Sequence, residues 1–240
     1  PLAYVQAAWA TNHHHPDGRL ERGVEGQLLT PDEITQEADD GEYRFVDSQL
    51  VGHHRFEHEG ALLIEQLVEL AAAREAGEIE HTPVVFYDGP LIASFANPLK
   101  PETRDRYIST VSRIVAASHH HEIPLVGYVA GSSATELVKM TRLLLREEFE
   151  SDRVIPDAHV LTELMSPWGD TTIPFISKRD GSVDALQATY EGESYEFRDD
   201  ILFSYLNVPP GAGLDRIEFP GWLCRRDGPD GYESMYEYTV

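Results

Sequence analysis

The sequence is poor in the residues that make covalent cross-links and membrane spans. Its 240 residues include one cysteine, Cys224, which excludes an internal disulfide and a zinc site built from several cysteines. We expect Cys224 to be a small buried or half-buried side chain, with a catalytic thiol as the alternative. The apolar runs are far shorter than the ~18–20 residues needed to cross a bilayer, and no basic-then-apolar signal segment is evident. We therefore expect a soluble, cytoplasmic protein without a membrane partner.

Several catalytic signatures are also missing. There is no G-x-S-x-G elbow, no G-x-G-x-x-G fingerprint and no G-K-[ST] ending of a P-loop, which argues against an α/β-hydrolase, a dinucleotide enzyme and a nucleotide hydrolase. We interpret the histidine clusters (13–15, 53–54 with 58, and 119–121) as polar loop and helix-end surface. A zinc hydrolase using His54 and His58 stays open, because their i,i+4 spacing suits a metal, although no H-E-x-x-H pattern accompanies them.

Positive charge is scarce, and lysine especially so. Asp and Glu number 42 against 19 Lys and Arg, which gives a net charge of -23. The lysines are Lys100, Lys139 and Lys178. At ordinary salt this charge repels nucleic acid and anionic membranes. In concentrated salt an acidic surface stays hydrated, and the screening length falls to roughly 3 Å at 1 M. We favour this second, halophilic interpretation.

The residues that are present predict alternating strands and helices, and hence one α/β domain over residues 1–240 with a mixed sheet flanked by helices. Strands are predicted at 2–10, 43–47, 83–87, 125–129, 171–177, 183–190, 195–198, 201–207 and 216–219. Helices are predicted at 56–75, 101–120, 134–148 and 157–164, and residues 11–41 as a polar excursion with one short helix. The strand at 83–87 has the composition of one buried on both faces. Ser133 is the predicted N-cap of its helix, because Ser133 and Glu136 have capping-box spacing.

Two acidic residues are the candidate metal ligands. Asp88 ends the predicted strand at 83–87 and precedes Gly89, so its carboxylate faces a cleft at the strand end where α/β ligand sites lie. Glu59 shares a helical face with three leucines, where an acid is costly unless it is paired or bound to a cation. Together they offer the oxygen ligands that Mg²⁺ or Mn²⁺ prefers. A turn-starting Asp and a boundary Glu are the alternatives, and Glu57 or Glu65 can replace Glu59 as a ligand.

Two features are candidates for binding phosphate. Gly131-Ser132-Ser133 precedes a predicted helix whose N–H groups and dipole attract an anion, with plain N-capping as the alternative. Four arginines can contact phosphates or pair with acids on helix faces. They are Arg104, Arg106, Arg142 and Arg146.

The order of these features resembles the NurA nuclease family. The strand at 3–8, the acidic helical segment at 55–63 and the V-F-Y-D-G-P-L segment at 85–91 follow one another as in that family. The later segments L-V-G-Y-V (125–129), E-L-V-K (136–139) and R-I-E-F-P (216–220) do so as well. The resemblance extends over nearly the whole chain, although each motif is short.

The resemblance implies a ribonuclease H-like core and manganese-dependent nuclease activity on DNA ends. It also implies a homodimer that works with the HerA hexameric translocase in 5′–3′ resection of double-strand breaks. Asp88 matches the Asp of the family's internal D-G-x-L motif, and Glu59 best matches its helical Glu. If the chain acts on DNA as the resemblance implies, its negative charge excludes DNA binding only at low salt.

The sequence also departs from the family pattern. It shows no match to the family's first D-G-S aspartate, to its C-terminal Tyr and His, or to a lysine after the strand at 125–129. We therefore expect the chain to lack the family's first strand and C-terminal segment, and with them part of the active site. Two interpretations stay open: a nuclease in which Asp88, Glu59 and the missing Asp hold Mn²⁺, or a non-catalytic NurA-like domain that docks on a hexameric ATPase.

Overall fold

The structure is a computed structural model that describes residues 2–13, 18–37, 44–145, 154–165, 167–177, 186–197, 200–208 and 213–224. The strands are β1 (Ala3–His13), β2 (Arg19–Leu29), β3 (Thr35–Glu37), β4 (Arg44–Val46), β5 (Val85–Asp88), β6 (Leu125–Val129), β7 (Phe175–Ile176), β8 (Gln187–Tyr190), β9 (Glu193–Glu196), β10 (Ile201–Asn207) and β11 (Leu214–Pro220). The α-helices are α1 (Pro31–Ile34), α2 (Ser48–Glu75), α3 (Pro101–His120), α4 (Glu136–Leu145) and α5 (Asp157–Leu161).

A five-stranded mixed sheet organises the fold. Its strand order is β5-β6-β11-β10-β7, with β5 and β6 parallel and the other pairs antiparallel. Parallel neighbours require a crossover, and α3 supplies it between β5 and β6. The predicted α/β fold with a mixed sheet flanked by helices is therefore confirmed.

The largest hydrophobic core lies between this sheet and the helices α2 and α3. Leu67 of α2 and Val111 of α3 are fully buried there, together with Leu125 of β6 and Ile201 of β10. A Cβ on Gly60 would lie 2.5 Å from Thr110 Cγ2, so the glycine permits the close approach of α2 to α3. Within the described ranges, no helix combines the length and the hydropathy needed to cross a lipid bilayer.

Helix α3 and strands β6 and β10 have the predicted bounds, whereas other elements differ. Helix α2 begins at Ser48 instead of residue 56, because Asp47 caps it by accepting a 2.7 Å hydrogen bond from the Gln49 N–H. Helix α5 ends at Leu161 instead of residue 164. Of the predicted strands and helices, residues 43, 146–148, 183–185 and 198 lie outside the described ranges.

The prediction of a polar excursion over 11–41 is wrong in its first half. Strand β1 extends to His13, and β2 pairs with it along all 11 of its residues. Of β2, only Leu29 is fully buried, and the apolar residues of its sequence do not alternate strictly with polar ones. Pairing with β1 makes it a strand. The short helix expected in this region is α1.

The sequence predicted that β5 would be buried on both faces, and this prediction is wrong. Val85 and Tyr87 point into the core, whereas Phe86 is 59% exposed and Asp88 is also exposed. The reason is position: β5 is the edge strand of the sheet, beside β6. The short apolar run at 83–87 therefore belongs to a strand that packs against the core on one face only.

Candidate functional site

Asp88 is the last residue of β5, opposite Tyr128 of β6, and its carboxylate is exposed. The chain turns at once, because the Gly89 N–H donates to the Tyr87 carbonyl at 2.9 Å. Two glycines make this turn possible. A Cβ on Gly89 would lie 2.9 Å from the Tyr87 ring, and a Cβ on Gly127 would lie 2.7 Å from the Gly89 carbonyl oxygen. The Asp88 turn, defined as residues 88–90, therefore packs directly against β6.

Helix α2 brings Glu59 near this turn. Burial raises the pKa of Glu59, the positive charge of Arg55 opposes that shift, and the negative charge of Asp88 adds to it. The two carboxylates therefore lie within electrostatic range of each other. Burial also raises the pKa of Tyr87, and the charges of Glu59 and Asp88 act in the same direction.

The two alternative ligands lie elsewhere on α2. Glu57 faces the histidines before it, with an oxygen 3.3 Å from His53 Nε2 and another 3.9 Å from His54 Nδ1. Glu65 is exposed and lies roughly 240° around the helix from Glu59. The geometry therefore favours Glu59 as the partner of Asp88.

The chemistry of this pair suits a hard divalent cation. Two carboxylates that repel each other, one of them half-buried, are stabilised by a shared positive ion. Oxygen donors of this kind fit Mn²⁺ or Mg²⁺. In the part of the chain that the structure describes, no group of three or more His, Cys, Asp and Glu side chains is placed to hold a metal. A metal at this position would therefore need ligands beyond Asp88 and Glu59.

The histidines are more buried than the sequence predicted. His53 is fully buried and packs edge-on against Tyr107, with ring centroids 5.2 Å apart. Sequence reasoning missed its burial because it placed residue 53 outside α2. His54 Nε2 lies 3.1 Å from the Glu33 carbonyl oxygen, so this ring ties α2 to α1. The interpretation of His53 as polar surface is therefore wrong.

The cluster at the end of α3 also makes specific contacts. His119 stacks on Trp222 with centroids 5.4 Å apart, and His120 Nδ1 lies 2.9 Å from the Tyr195 hydroxyl. These rings join α3 to the β8–β9 hairpin and to the residues after β11. The side chains of His13, His14 and His15 lie outside the described part of the chain.

The predicted phosphate-binding features are engaged by the protein itself. The Gly131 N–H donates to the Asp215 carboxylate at 2.9 Å, so a carboxylate already lies where an anion was expected. Ser133 is not the N-cap, because α4 begins at Glu136. The Leu137 and Val138 N–H groups instead donate to Asp157 from α5, at 3.0 and 2.9 Å.

The predicted arginines have separate surroundings. Arg104 pairs with Asp105 at 2.9 Å on the surface, as the ion-pair alternative predicted. Arg106 is exposed on α3, and Arg142 is half-buried on α4. Arg146 lies outside the described residues. Around the Asp88 turn, the structure instead points to Arg55, whose charge acts on both Glu59 and Tyr87.

Sequence reasoning missed a buried ionic network on β11. Arg216 and Glu218 are fully buried, and Arg216 Nε donates to Glu218 Oε1 at 2.8 Å. Arg216 Nη1 lies 2.5 Å from Glu136 Oε2 at the start of α4. One clue was available: the two opposite charges are two residues apart in a strand, which places both side chains on one face and within reach of each other.

Comparison with known proteins agrees with the sequence resemblance. The family model described as "NurA domain" matches residues 4–238. Neither the comparison with curated proteins nor that with solved structures found a match. Because the matched residues make up nearly the whole chain, the protein belongs to the NurA family, a nuclease family of DNA end processing.

Proposed function

We propose that the protein is a metal-dependent deoxyribonuclease that hydrolyses phosphodiester bonds at DNA ends, with Asp88 and Glu59 as ligands of Mn²⁺ or Mg²⁺. The observation that carries the proposal is the exposed carboxylate of Asp88 on the tight turn that ends β5, within electrostatic range of Glu59, whose pKa its charge helps to raise. Membership of the NurA family supports the nuclease class. A metal bound there would activate water and stabilise the leaving oxygen.

The residues around the pair have distinct tasks in this proposal. Asp88 stands on a tight turn and presents an exposed carboxylate at the end of β5. Glu59 comes from a long packed helix, which holds its half-buried carboxylate in place. Arg55, exposed and one turn before Glu59 on α2, is placed to attract a DNA phosphate towards two negative side chains.

The biological setting of the proposal comes from the family. The protein would act as a homodimer with a HerA-like hexameric translocase and resect 5′ ends at double-strand breaks. A net charge of -23 opposes DNA binding by counterion release. Contact with DNA would therefore depend on the metal, on local arginines and on the partner. It would be favoured by concentrated salt.

The test measures Mn²⁺-dependent cleavage of a 5′-end-labelled duplex by the complete protein at roughly 2–4 M KCl, where screening is nearly complete. Asp88→Ala and Glu59→Gln should each lower the rate by at least about 100-fold, because each removes a metal ligand. Glu65→Gln and Asp105→Ala are matched controls on exposed positions of α2 and α3 and should cleave normally. Full Mn²⁺-dependent cleavage by Asp88→Ala would refute the assignment.

A second candidate function is a non-catalytic domain that docks on a hexameric ATPase. The observation in its favour is α4, none of whose residues is fully buried. Leu143, Leu144 and Leu145 are 79%, 74% and 62% exposed. Exposed apolar patches often mark protein contacts. This candidate predicts that the protein stimulates ATP hydrolysis by its translocase while showing no Mn²⁺-dependent cleavage.

A further inference from the structure

Glu218 of β11 is bound to the chain immediately after the Asp88 turn. Its Oε2 accepts hydrogen bonds from the Leu91 N–H at 2.9 Å and from the Ile92 N–H at 3.3 Å. Leu91 and Ile92 are fully buried. The carboxylate therefore fixes the chain three and four residues beyond Asp88.

The Asp88 turn is thus held at both ends. On one side, Asp88 is still in register with Tyr128 of β6. On the other, Glu218 holds the amides that follow the turn, and Glu218 lies opposite Gly127, the residue on which the Gly89 carbonyl packs. Three neighbouring strands therefore determine the position of residues 88–90.

Glu218 is itself fixed by charge. Its other oxygen, Oε1, accepts the 2.8 Å hydrogen bond from Arg216 Nε. The guanidinium of Arg216 lies 3.7 Å from the centroid of the Phe203 ring and reaches Glu136 on α4. A fully buried carboxylate needs such compensation. The bond from Arg216 and the two backbone N–H groups together compensate the burial of this carboxylate.

We propose that Glu218 is a positioning residue for the metal site: by holding the Leu91 and Ile92 amides, it sets the place of the Asp88 carboxylate. The inference rests on the proposed function, because it assumes that Asp88 is a metal ligand. Groups that orient metal ligands typically change metal affinity or activity by about 10- to 100-fold when they are mutated.

The chain offers a close control for Glu218. Asp157 is also fully buried and also accepts two backbone hydrogen bonds, from Leu137 and Val138. It holds the start of α4 instead of the Asp88 turn, and it accepts a third bond from the Tyr205 hydroxyl at 2.9 Å. Asp157 is linked to Arg216 through Tyr205, but its loss of charge leaves both Glu218 hydrogen bonds to the Leu91 and Ile92 amides in place, so it should disturb the fold without moving Asp88.

The experiment titrates Mn²⁺ into the complete protein by calorimetry and compares Glu218→Gln with Asp157→Asn, at a temperature where circular dichroism shows both variants folded. Glu218→Gln should weaken the Mn²⁺ Kd by about 10- to 100-fold and lower kcat with little change in the KM for DNA. Asp157→Asn should stay within about twofold of the unaltered protein. Unchanged Mn²⁺ affinity in Glu218→Gln, or an equal loss in Asp157→Asn, would overturn the proposal.

Two further measurements keep the outcome clear. Hydrogen exchange on the unaltered protein should show the Leu91 and Ile92 amides strongly protected, and rapid exchange there would also overturn the proposal without any variant. Asp88→Ala is titrated in parallel. If it binds Mn²⁺ normally, the proposed function fails and this inference fails with it. If Asp88→Ala loses binding while Glu218→Gln does not, this inference alone fails.

Discussion

Replacing Arg216 by methionine should lower the free energy of unfolding by about 3–5 kcal/mol, the range found when one partner of a buried ion pair is removed. Arg216 is fully buried, 2.8 Å from Glu218 and 2.5 Å from Glu136. Methionine keeps the apolar packing against Phe203 but removes a cation–π contact, which is worth about 2 kcal/mol when desolvated. Most of the cost arises because the buried Glu218 carboxylate loses its cation.

The measurement is urea unfolding followed by circular dichroism, since guanidinium chloride would itself screen charges. Arg104→Met is the matched control: Arg104 pairs with Asp105 at 2.9 Å, but its side chain is 38% exposed. That surface pair should contribute at most about 1 kcal/mol, and less in concentrated salt. The Arg216 effect should be nearly independent of KCl.

The reasoning would be refuted if Arg216→Met cost less than about 1 kcal/mol, or if its cost fell with salt as the Arg104 effect does. Either result would mean that water and ions reach Arg216 and that its burial is not maintained in solution. A large cost with an unchanged m-value would instead show that stability changed while the surface exposed on unfolding did not.

Two other predictions concern local packing. Gly127→Ala should destabilise the protein by about 1–3 kcal/mol and reduce Mn²⁺-dependent cleavage, because its Cβ would lie 2.7 Å from the Gly89 carbonyl oxygen. Gly52→Ala on α2 is the control, since its Cβ would meet nothing closer than the Tyr107 hydroxyl at 3.7 Å, and urea unfolding with cleavage rates compares the two. Burial and the nearby charge of Asp200 raise the pKa of Cys224 to about 11, so its thiol stays protonated at pH 8 and stability is lost only as pH rises towards that value. A disulfide reagent should therefore label Cys224 slowly in native protein and quickly in urea, and rapid native labelling would contradict its burial.

Local features of the sequence were enough to predict several elements. Helix α3 has its predicted bounds because Pro101 suits a first helical turn and an apolar stripe follows it. The strands β6 and β10 are short apolar runs between turn residues. Cys224 is buried, as its residue type predicts. Asp88 could be singled out because it ends a strand and precedes a glycine.

Other features could not be predicted because the stabilising partner is distant in the sequence. The first N–H groups of α4 are capped by Asp157, which accepts hydrogen bonds from Leu137, 20 residues earlier in the chain, and from Val138, 19 residues earlier. Strand β2 is mostly polar, and it forms because its backbone hydrogen-bonds to β1. Glu218 meets the Leu91 amide across 127 residues. No window of local sequence contains both members of these pairs.

The sequence by itself determined the α/β class, the position of Asp88 at a strand end and the resemblance to the NurA family, because each depends on neighbouring residues or on their order. Only the tertiary structure placed Glu57 beside His53 and Glu59 within electrostatic range of Asp88. It also showed that a buried arginine and glutamate hold the chain after the Asp88 turn. The physical reason is that burial and charge compensation are properties of packed surfaces. Those surfaces form only when β5, β6 and β11 lie side by side.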